Sequence, residues 1–593
     1  MDGEINPWPF FIRRCTIYDK INITDMAEEY LKLFDTTAQR LAYEDGADYV
    51  EPYVSYTEGD KETHYNKGID YTKRPLTLKI TSGGNIILTK DDTAPTVTLQ
   101  YKKNDEEWTP FTISASTYQF IKVAAGDQVM FRGDNAQYAT SGVTSNRGYV
   151  GFYNSTVGFT LEGNIMSLVN SENFANLTTL GSAYTFACLF RGCTGLTDVS
   201  NLTLPATALT VSCYYSMFYG CTGLTTAPVL PATALTVYCY RSMFYNCTSL
   251  TTAPALPATT LASQCYSYMF QGCTSLTTAP ELPATTLADY CYSGMFQGCT
   301  SLTTAPELPA TTLANYCYQS MFYGCTGLTT APSALPATTL TTSCYNEMFQ
   351  GCTSLATAPA LPATTLAQQC YAKMFMGCTS FTTPPILPAT TLANNCYQSM
   401  FSDCTSLTTA PELPATALTE YCYNGMFIKC TNLTTAPALP ATALANACYQ
   451  SMFDGCTGLT TAPVLPATTL SVNCYYQMFR KCSSLTTAPA LPATALTSSC
   501  YREMFKNCTS LTTAPELPAT ALVSNCYTQM FYGCSKLNYI KAMFTTTPST
   551  TYTSSWVSGV ASSGTFVKNS AATWTTTGVS GVPNGWTTIT ASE

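Results

Sequence analysis

The sequence predicts an α/β solenoid, a curved array of coils that each contain one short parallel strand and one helix. The first observation is a 26-residue motif, C-Y-x-x-M-F-x-x-C-T-x-L-T-T-A-P-x-L-P-A-T-x-L-x-x-x, which begins thirteen times between Cys213 and Cys526. The second is its regularity, because a single extra residue within 331–336 interrupts the step. A unit this short cannot bury its own apolar face, so we expect 13 to 14 coils that stack on one another.

Each copy predicts a helix followed by a strand. Cys, Met and Cys stand at i, i+4 and i+8, and Tyr and Phe at i+1 and i+5, which on a helix is a single buried face. The second Cys mostly follows Gly or Asn, which is typical of a helix end. Leu-Thr-Thr-Ala then predicts a strand, and Pro ends it because it cannot donate to a ladder. Since packed helices are wider than stacked strands, we expect a horseshoe curvature.

The cysteines indicate core packing. The chain has 29 Cys, and 26 of them form pairs spaced eight apart. On a helix that spacing is about 12 Å, too far for a disulfide, so we expect buried thiols. Zinc is the alternative, but it requires Cys/His clusters, and His64 is the only histidine in the chain. The sequence therefore predicts no metal and no cofactor.

Residues 1–72 predict an acidic docking segment. They hold 15 Asp and Glu against 7 Lys and Arg, which accounts for most of the net charge of −9. A capped amphipathic helix is expected over 25–41. It either packs against the following domain or attaches to another subunit, and for attachment the candidate contacts are Trp8, Phe10, Phe11, Tyr30 and Phe34.

Three further domains follow. Residues 73–170 alternate apolar and polar side chains between turn signals, which predicts a small antiparallel β-sandwich. The array is expected over 171–545, with Leu189-Phe190-Arg191-Gly192-Cys193 as an atypical first coil. Residues 546–593 are rich in Thr, Ser and Gly but carry three of the five Trp, which predicts a folded β cap.

Composition excludes several function classes. The array has few charges and no basic patch, so nucleic acid and anionic lipid are not expected partners. No apolar run is long enough to insert in a membrane, and the first residues lack a signal-peptide pattern, so we expect folding in a cytoplasm. Since His64 stands alone and the phosphate-binding and hydrolase motifs are absent, we expect no enzyme.

The positions that differ between copies are the candidates for recognition. They are the three residues before each C-Y, the two after C-Y and the two after M-F. Tyrosine offers contact area at a low entropic cost, and neutral Tyr, Asn and Gln surfaces suit glycans or protein partners. The candidate binding residues are Tyr215, Tyr219, Tyr245, Tyr268, Tyr323, Tyr476 and Tyr532, with Tyr238, Tyr290, Tyr316 and Tyr421 at equivalent positions. An exposed solvent face is the alternative reading.

The repeat L-T-T-A-P-x-L-P-A-T-x-L-x-x-x-C-Y-x-x-M-F-x-x-C resembles the BspA-like leucine-rich repeats of gut bacteria and their phages. The resemblance implies adhesion or receptor binding. We expect a virion fibre or decoration protein, assembled in the host cytoplasm, with its N-terminal region on other virion subunits and its solenoid on a host-surface glycan or protein. The alternative is a secreted or cell-surface bacterial adhesin. Homo-oligomerisation stays open.

Overall fold

We describe a computed structural model of the chain that covers residues 69–90, 93–113, 118–140, 148–152 and 157–591. The chain divides into two compact units, Met1–Arg74 and Pro75–Glu593. The predicted helix over 25–41 and the docking residues Trp8, Phe10, Phe11, Tyr30 and Phe34 lie outside the described residues. Their role stays a prediction.

The second unit begins with a region rich in β-sheet. Its strands are β1 (Leu76–Ser82), β2 (Gly84–Lys90), β3 (Val97–Lys103), β4 (Thr109–Ile113), β5 (Tyr118–Val123), β6 (Gln128–Gly133), β7 (Val150–Phe152), β8 (Gly158–Asn164) and β9 (Leu196–Thr203). One sheet has the order β4-β3-β6-β1-β8-β9 and the other β5-β2-β7. Short 3-10 helices span Ile165–Leu168 and Phe174–Asn176. The predicted β-sheet-rich region before the repeats is thus confirmed.

Strand β1 shows why these segments are strands. Leu76, Leu78 and Ile80 alternate along it and are buried, while it pairs antiparallel with β6 and β8 on its two sides. Strand β8 in turn pairs in parallel with β9, which lies directly after the atypical coil at Cys193. The sheet therefore continues into the first coil of the array.

The predicted helix in each repeat is wrong. In the copy that begins at Cys265, backbone amides alternate between two partners. Those of Tyr266, Tyr268 and Phe270 donate to the next coil, at 2.8–3.0 Å. Those of the residues in between close turns with the carbonyl three residues back, as Met269 N does with Tyr266 O at 3.1 Å. An α-helix satisfies its amides internally, whereas this ribbon of turns uses every second amide to join coils.

The backbone geometry explains the ribbon. Every fourth residue has a positive φ, as at Gln264 (56°), Tyr268 (57°) and Gly272 (74°), and an α-helix contains no such residue. A non-glycine residue in this region costs about 1–2 kcal/mol. The bonds to the neighbouring coil offset that cost, so the ribbon depends on stacking. The horseshoe shape was expected because packed helices are wider than stacked strands. Since the repeats form turns instead of helices, that argument no longer applies, and the curvature of the array stays a prediction.

The ribbon buries the residues that the motif repeats. The first Cys, Tyr, Met, Phe and second Cys of each of the thirteen copies are at most 2% exposed. Their rings form two continuous stacks along the array, with centroids 5.7–6.0 Å apart for Tyr214 to Tyr527 and 5.5–5.8 Å apart for Phe218 to Phe531. The prediction that these five positions form the core is confirmed, although the element that carries them is different.

The second cysteine has a defined hydrogen bond. Its thiol donates to the carbonyl of Phe in the preceding coil, as Cys273 Sγ does to Phe244 O at 3.1 Å, and the same bond recurs in all thirteen copies. The 28 cysteines that the structure describes are all free and buried, which confirms the predicted thiols. Alanine would fill the space poorly and would leave the carbonyl without this donor.

The opposite side of each coil carries Leu-Thr-Thr-Ala. Parallel bridges join the second Thr of successive coils, as between Thr278 and Thr304. The first Thr donates its hydroxyl to the carbonyl of its counterpart one coil back, as Thr277 does to Thr251 at 3.4 Å. The predicted strand is therefore reduced to one bridge per coil, and the hydroxyl ladder has a structural role.

Both ends of the aromatic stacks are covered. At the first end Phe186 and Phe190 continue the stacks and meet Tyr138 and Phe152 of the β-rich region. At the other end Trp556, which is fully buried, covers Tyr527 and Phe531. A three-stranded parallel sheet follows, formed by β10 (Tyr539–Ala542), β11 (Thr565–Lys568) and β12 (Thr587–Thr590), and a four-residue helix spans Thr550–Thr553.

Candidate binding face

The outer face of the ribbon carries the variable residues. In each copy, the residue before the first Cys, the two after C-Y and the first two after M-F lie between the buried positions, and most are half-buried or exposed. Of the predicted binding residues, Tyr215, Tyr219, Tyr245, Tyr268, Tyr323 and Tyr476 are half-buried and Tyr532 is exposed. The ribbon brings residues 26 apart into direct contact because neighbouring coils are hydrogen-bonded.

Tyrosines are concentrated in the first five coils. This aromatic half of the face, from Ser212 to Gly324, contains eight tyrosines, and the other eight coils contain three. Tyr219 stacks on Tyr245 with centroids 4.4 Å apart, and Tyr290 stacks on Tyr316 at 4.5 Å. Within each pair, each ring covers one face of the other, and all four side chains are half-buried.

Tyr268 lies in the same half of the face, against the backbone of the next coil. Its ring lies over Gly294, where an added Cβ would come within 2.3 Å of Tyr268 Cδ1. Glycine therefore leaves room for the neighbouring ring, whereas a φ close to its 60° is also adopted by Ser242 and Lys373 at the equivalent position of other coils. Burial and the neighbouring Tyr219 raise the pKa of the Tyr245 phenol, so this phenol is uncharged at physiological pH.

Two arginines complete the aromatic half. The guanidinium of Arg191, in the atypical first coil, lies 3.6 Å from the ring centroid of Tyr219. That of Arg241 lies 5.5 Å from the ring of Tyr238 and 5.6 Å from that of Tyr268, and it donates a hydrogen bond to Gln264. We call these residues the aromatic–arginine patch, which consists of Arg191, Tyr219, Tyr238, Arg241, Tyr245, Gln264, Tyr268, Tyr290 and Tyr316.

The remaining coils form a charged half, from Ser343 to Gly533. Glu347 pairs with Lys373 at 2.9 Å, and Asp403 pairs with Lys429 at 3.2 Å. The other pairs are Asp454 with Arg480, at 2.9 Å from Oδ1 to Nε, and Glu503 with Lys506 and Arg502, at 3.2 and 3.6 Å. Most of these pairs link one coil to the next, so the charged side chains of this half pair mainly with each other.

The structure separates the predicted binding tyrosines. It stacks Tyr219 on Tyr245 and places Tyr268 over Gly294 and beside Arg241, while Tyr215 and Tyr323 lie in the same half without a ring contact to another residue in the described part of the chain. Tyr476 lies under Arg502 and Tyr532 under Lys506, both at 5.3 Å, in the charged half. Sequence reasoning missed Arg191, Arg241, Gln264 and Gly294. The signal for Gly294 and its counterpart Gly425 was glycine in the middle of a predicted helix.

The described residues show no centre for metal or thiol chemistry. They contain no group of His, Cys, Asp and Glu that could hold a metal ion. Burial raises the pKa of the thiols, to about 12 for Cys221 and Cys239, so they are protonated and poor nucleophiles. His64 lies outside the described residues. No helix in the part that the structure describes is long and apolar enough to cross a bilayer.

The fold and the repeat define a leucine-rich repeat protein. The family profile described as "BspA type Leucine rich repeat region (6 copies)" matches residues 167–303, 263–407, 343–486 and 446–557, which together span most of the array. The chain therefore belongs to the BspA-type leucine-rich repeat family, and the resemblance seen in the motif is confirmed. No enzyme family is indicated.

Two solved structures are similar. A leucine-rich repeat protein from Bacteroides ovatus ATCC 8483 is 18% identical, with a TM-score of 0.43, over 65% of this chain and 88% of that one. A leucine rich cell surface protein from Faecalibacterium prausnitzii A2-165 is 16% identical, with a TM-score of 0.26, over 60% of this chain and 75% of that one. No curated protein matches the chain.

Proposed function

We propose that this protein is a non-enzymatic adhesin that contacts a host surface through the outer face of its ribbon, chiefly through the aromatic half. The observation that carries this proposal is the concentration of eight tyrosines in five coils, on a backbone that is the same in all thirteen. Tyrosine-rich neutral surfaces supply contact area with polar tips. Proteins with BspA-type repeats are often cell-surface adhesins, which supports the same role.

The fixed backbone favours recognition by this face. Each coil is held by amide hydrogen bonds to the next and by a fully buried core, so the outer side chains project from a rigid support. A preorganised surface loses less entropy on binding than a mobile loop does. Because every coil has the same backbone and the same buried residues, the outer residues can vary without changing the packing of the core.

Binding of the full-length labelled protein to a panel of bacterial and epithelial cells tests this role. The double variant with Tyr219→Ala and Tyr245→Ala is expected to lose about tenfold or more in affinity, since buried aromatic contacts cost about 1–4 kcal/mol when truncated. The control is Val464→Ala, which lies on an exposed corner of a distant coil. Equal binding by the double variant and the wild type would contradict the assigned face.

For the setting, we propose a bacteriophage virion, with residues 1–72 attached to the particle. The support is the acidic, aromatic composition of this segment and its place in a unit of its own, Met1–Arg74. The second setting is the bacterial cell surface or secretion, which the family favours. Mass spectrometry of purified particles separates the two, because absence of the protein from particles that infect normally would remove the virion setting.

A further inference from the structure

We propose that the aromatic–arginine patch binds an acidic glycan, that is, a carbohydrate that carries carboxylate or sulfate groups. The inference rests on the proposed function, because it assigns a ligand class to the same face. It starts from a difference in how the Lys and Arg side chains of the two halves are paired. In the charged half five of six Lys and Arg pair with a carboxylate, whereas Arg191 and Arg241 form no ion pair among the described residues.

Arg191 is positioned to receive an anion. Its guanidinium lies against the ring of Tyr219, which is stacked in turn on Tyr245. A guanidinium carries five N–H donors, so stacking on the Tyr219 ring and an interaction with the buried Cys188 thiol hold the group in place and leave donors for a further partner. A carboxylate or sulfate can accept two parallel hydrogen bonds from a guanidinium.

Arg241 provides a second cation in the same surface. Gln264 accepts one of its hydrogen bonds, and the rings of Tyr238 and Tyr268 lie on either side. The atypical coil of Arg191 and the coil of Arg241 are two steps apart. At about 4.8 Å per hydrogen-bonded step, the two cations are separated by about 10 Å along the stacking direction. Because Arg191 follows Leu189-Phe190 and Arg241 follows Cys239-Tyr240, the cations are also offset across the coils, and a polymer with several acidic groups can contact both.

The groups around the arginines favour a carbohydrate over an acidic peptide. Tyr219 stacks on Tyr245 and Tyr290 on Tyr316, and the half-buried side chains of Gln264 and Gln271 add neutral polar groups. Phenol and amide groups can both donate and accept hydrogen bonds, which matches a ligand covered with hydroxyls. The carboxylate of Asp289, on the same face, accepts a hydrogen bond from the amide of Asn315.

Binding of the full-length protein to a glycan array tests the inference. The array holds sialylated, sulfated and uronic-acid glycans, each beside its neutral counterpart without the acidic group. We expect at least tenfold tighter binding to the acidic members, weakened as salt rises. Arg191→Gln and Arg241→Gln should each reduce that binding about tenfold, as expected when one charge-assisted contact is lost. Melting curves check that both variants stay folded.

The matched control is Lys481→Gln, which removes the same charge from an exposed cation of the charged half. It should leave glycan binding unchanged. Equal loss with Lys481→Gln would show nonspecific attraction and overturn the assigned patch. Tyrosine-dependent binding to neutral glycans only, or to an acidic peptide such as polyglutamate in preference to every glycan, would overturn the acidic-glycan inference and leave the adhesin proposal standing. Absence of binding to glycans and to cells alike would overturn both.

Discussion

The aromatic half and the charged half of the outer face share one backbone and one core and differ only in the side chains that they display. In both halves the repeated Cys, Tyr, Met, Phe and Cys are buried, and the same amides join the coils. The aromatic half has two arginines without acidic partners among the described residues, and the charged half has carboxylates and cations that pair between coils. The comparison teaches that the repeated positions form one common core, while the variable outer positions carry all the differences between the halves.

The largest expected effect is alkaline unfolding, which should affect both halves. Burial raises the pKa of the thiols, as for Cys221 and Cys239, from an ordinary value of 9.0 to about 12. Above pH 9 the unfolded chain releases these protons while the folded chain retains them, so stability is complete below pH 9 and falls as pH rises toward 12. Each such thiol removes about 1.4 kcal/mol of stability per pH unit.

Because 28 buried thiols contribute, their sum exceeds the stability of a typical protein within about one pH unit above 9. Circular dichroism during a pH titration should therefore show steep unfolding between about pH 9 and 10.5. Hydrogen exchange read by mass spectrometry would locate the loss along the chain. If the charged half unfolded well before the aromatic half, the idea of a shared core would fail.

The next effect is the loss of a buried methionine in each half. Met295→Ala in the aromatic half and Met426→Ala in the charged half both empty a site that is fully buried between ring stacks. Each change is expected to cost about 2–5 kcal/mol of unfolding free energy. Local stability is measured by native-state hydrogen exchange, because repeat arrays need not unfold in a single step. A cost several times larger in one half would show that the outer face also supports the core.

The residues of the core could be predicted from the sequence, but the secondary structure that carries them could not. Cys265, Met269 and Cys273 are spaced four apart, and over eight residues a period of 4.0 is hard to distinguish from the 3.6 of a helix. The deciding signal is a left-handed residue at every fourth position. In a sequence, glycine is the residue that indicates this conformation. Tyr268 and Gln264 also adopt it, but their residue types give no sign of it.

The outward positions of the tyrosines were also predictable, but their partners were not. Packed helices would have placed copies about 8–10 Å apart, which excludes the 4.4 Å stacking of Tyr219 on Tyr245. Coils joined by hydrogen bonds bring residues i and i+26 into contact. That spacing decides which tyrosines stack and which charges pair, so the two halves of the face emerge only from the structure.

The smallest effect comes from two glycines at the same position of the repeat. Gly294 and Gly425 have φ of 60° and 61°, so Gly294→Ala and Gly425→Ala should each cost about 1–2 kcal/mol of stability. Their surroundings differ. A Cβ added at Gly294 would lie 2.3 Å from the ring of Tyr268, and one added at Gly425 would lie 2.8 Å from Ile428 Cδ1, the flexible end of a side chain.

Only Gly294→Ala should therefore change recognition. The new methyl group forces the ring of Tyr268 to leave its present place beside Arg241. We expect Gly294→Ala to weaken cell and glycan binding several-fold and Gly425→Ala to leave it unchanged, at melting temperatures that fall by similar amounts. Equal binding losses in the two variants would mean that the ribbon, rather than the ring of Tyr268, determines recognition, because the backbone change is the same in both.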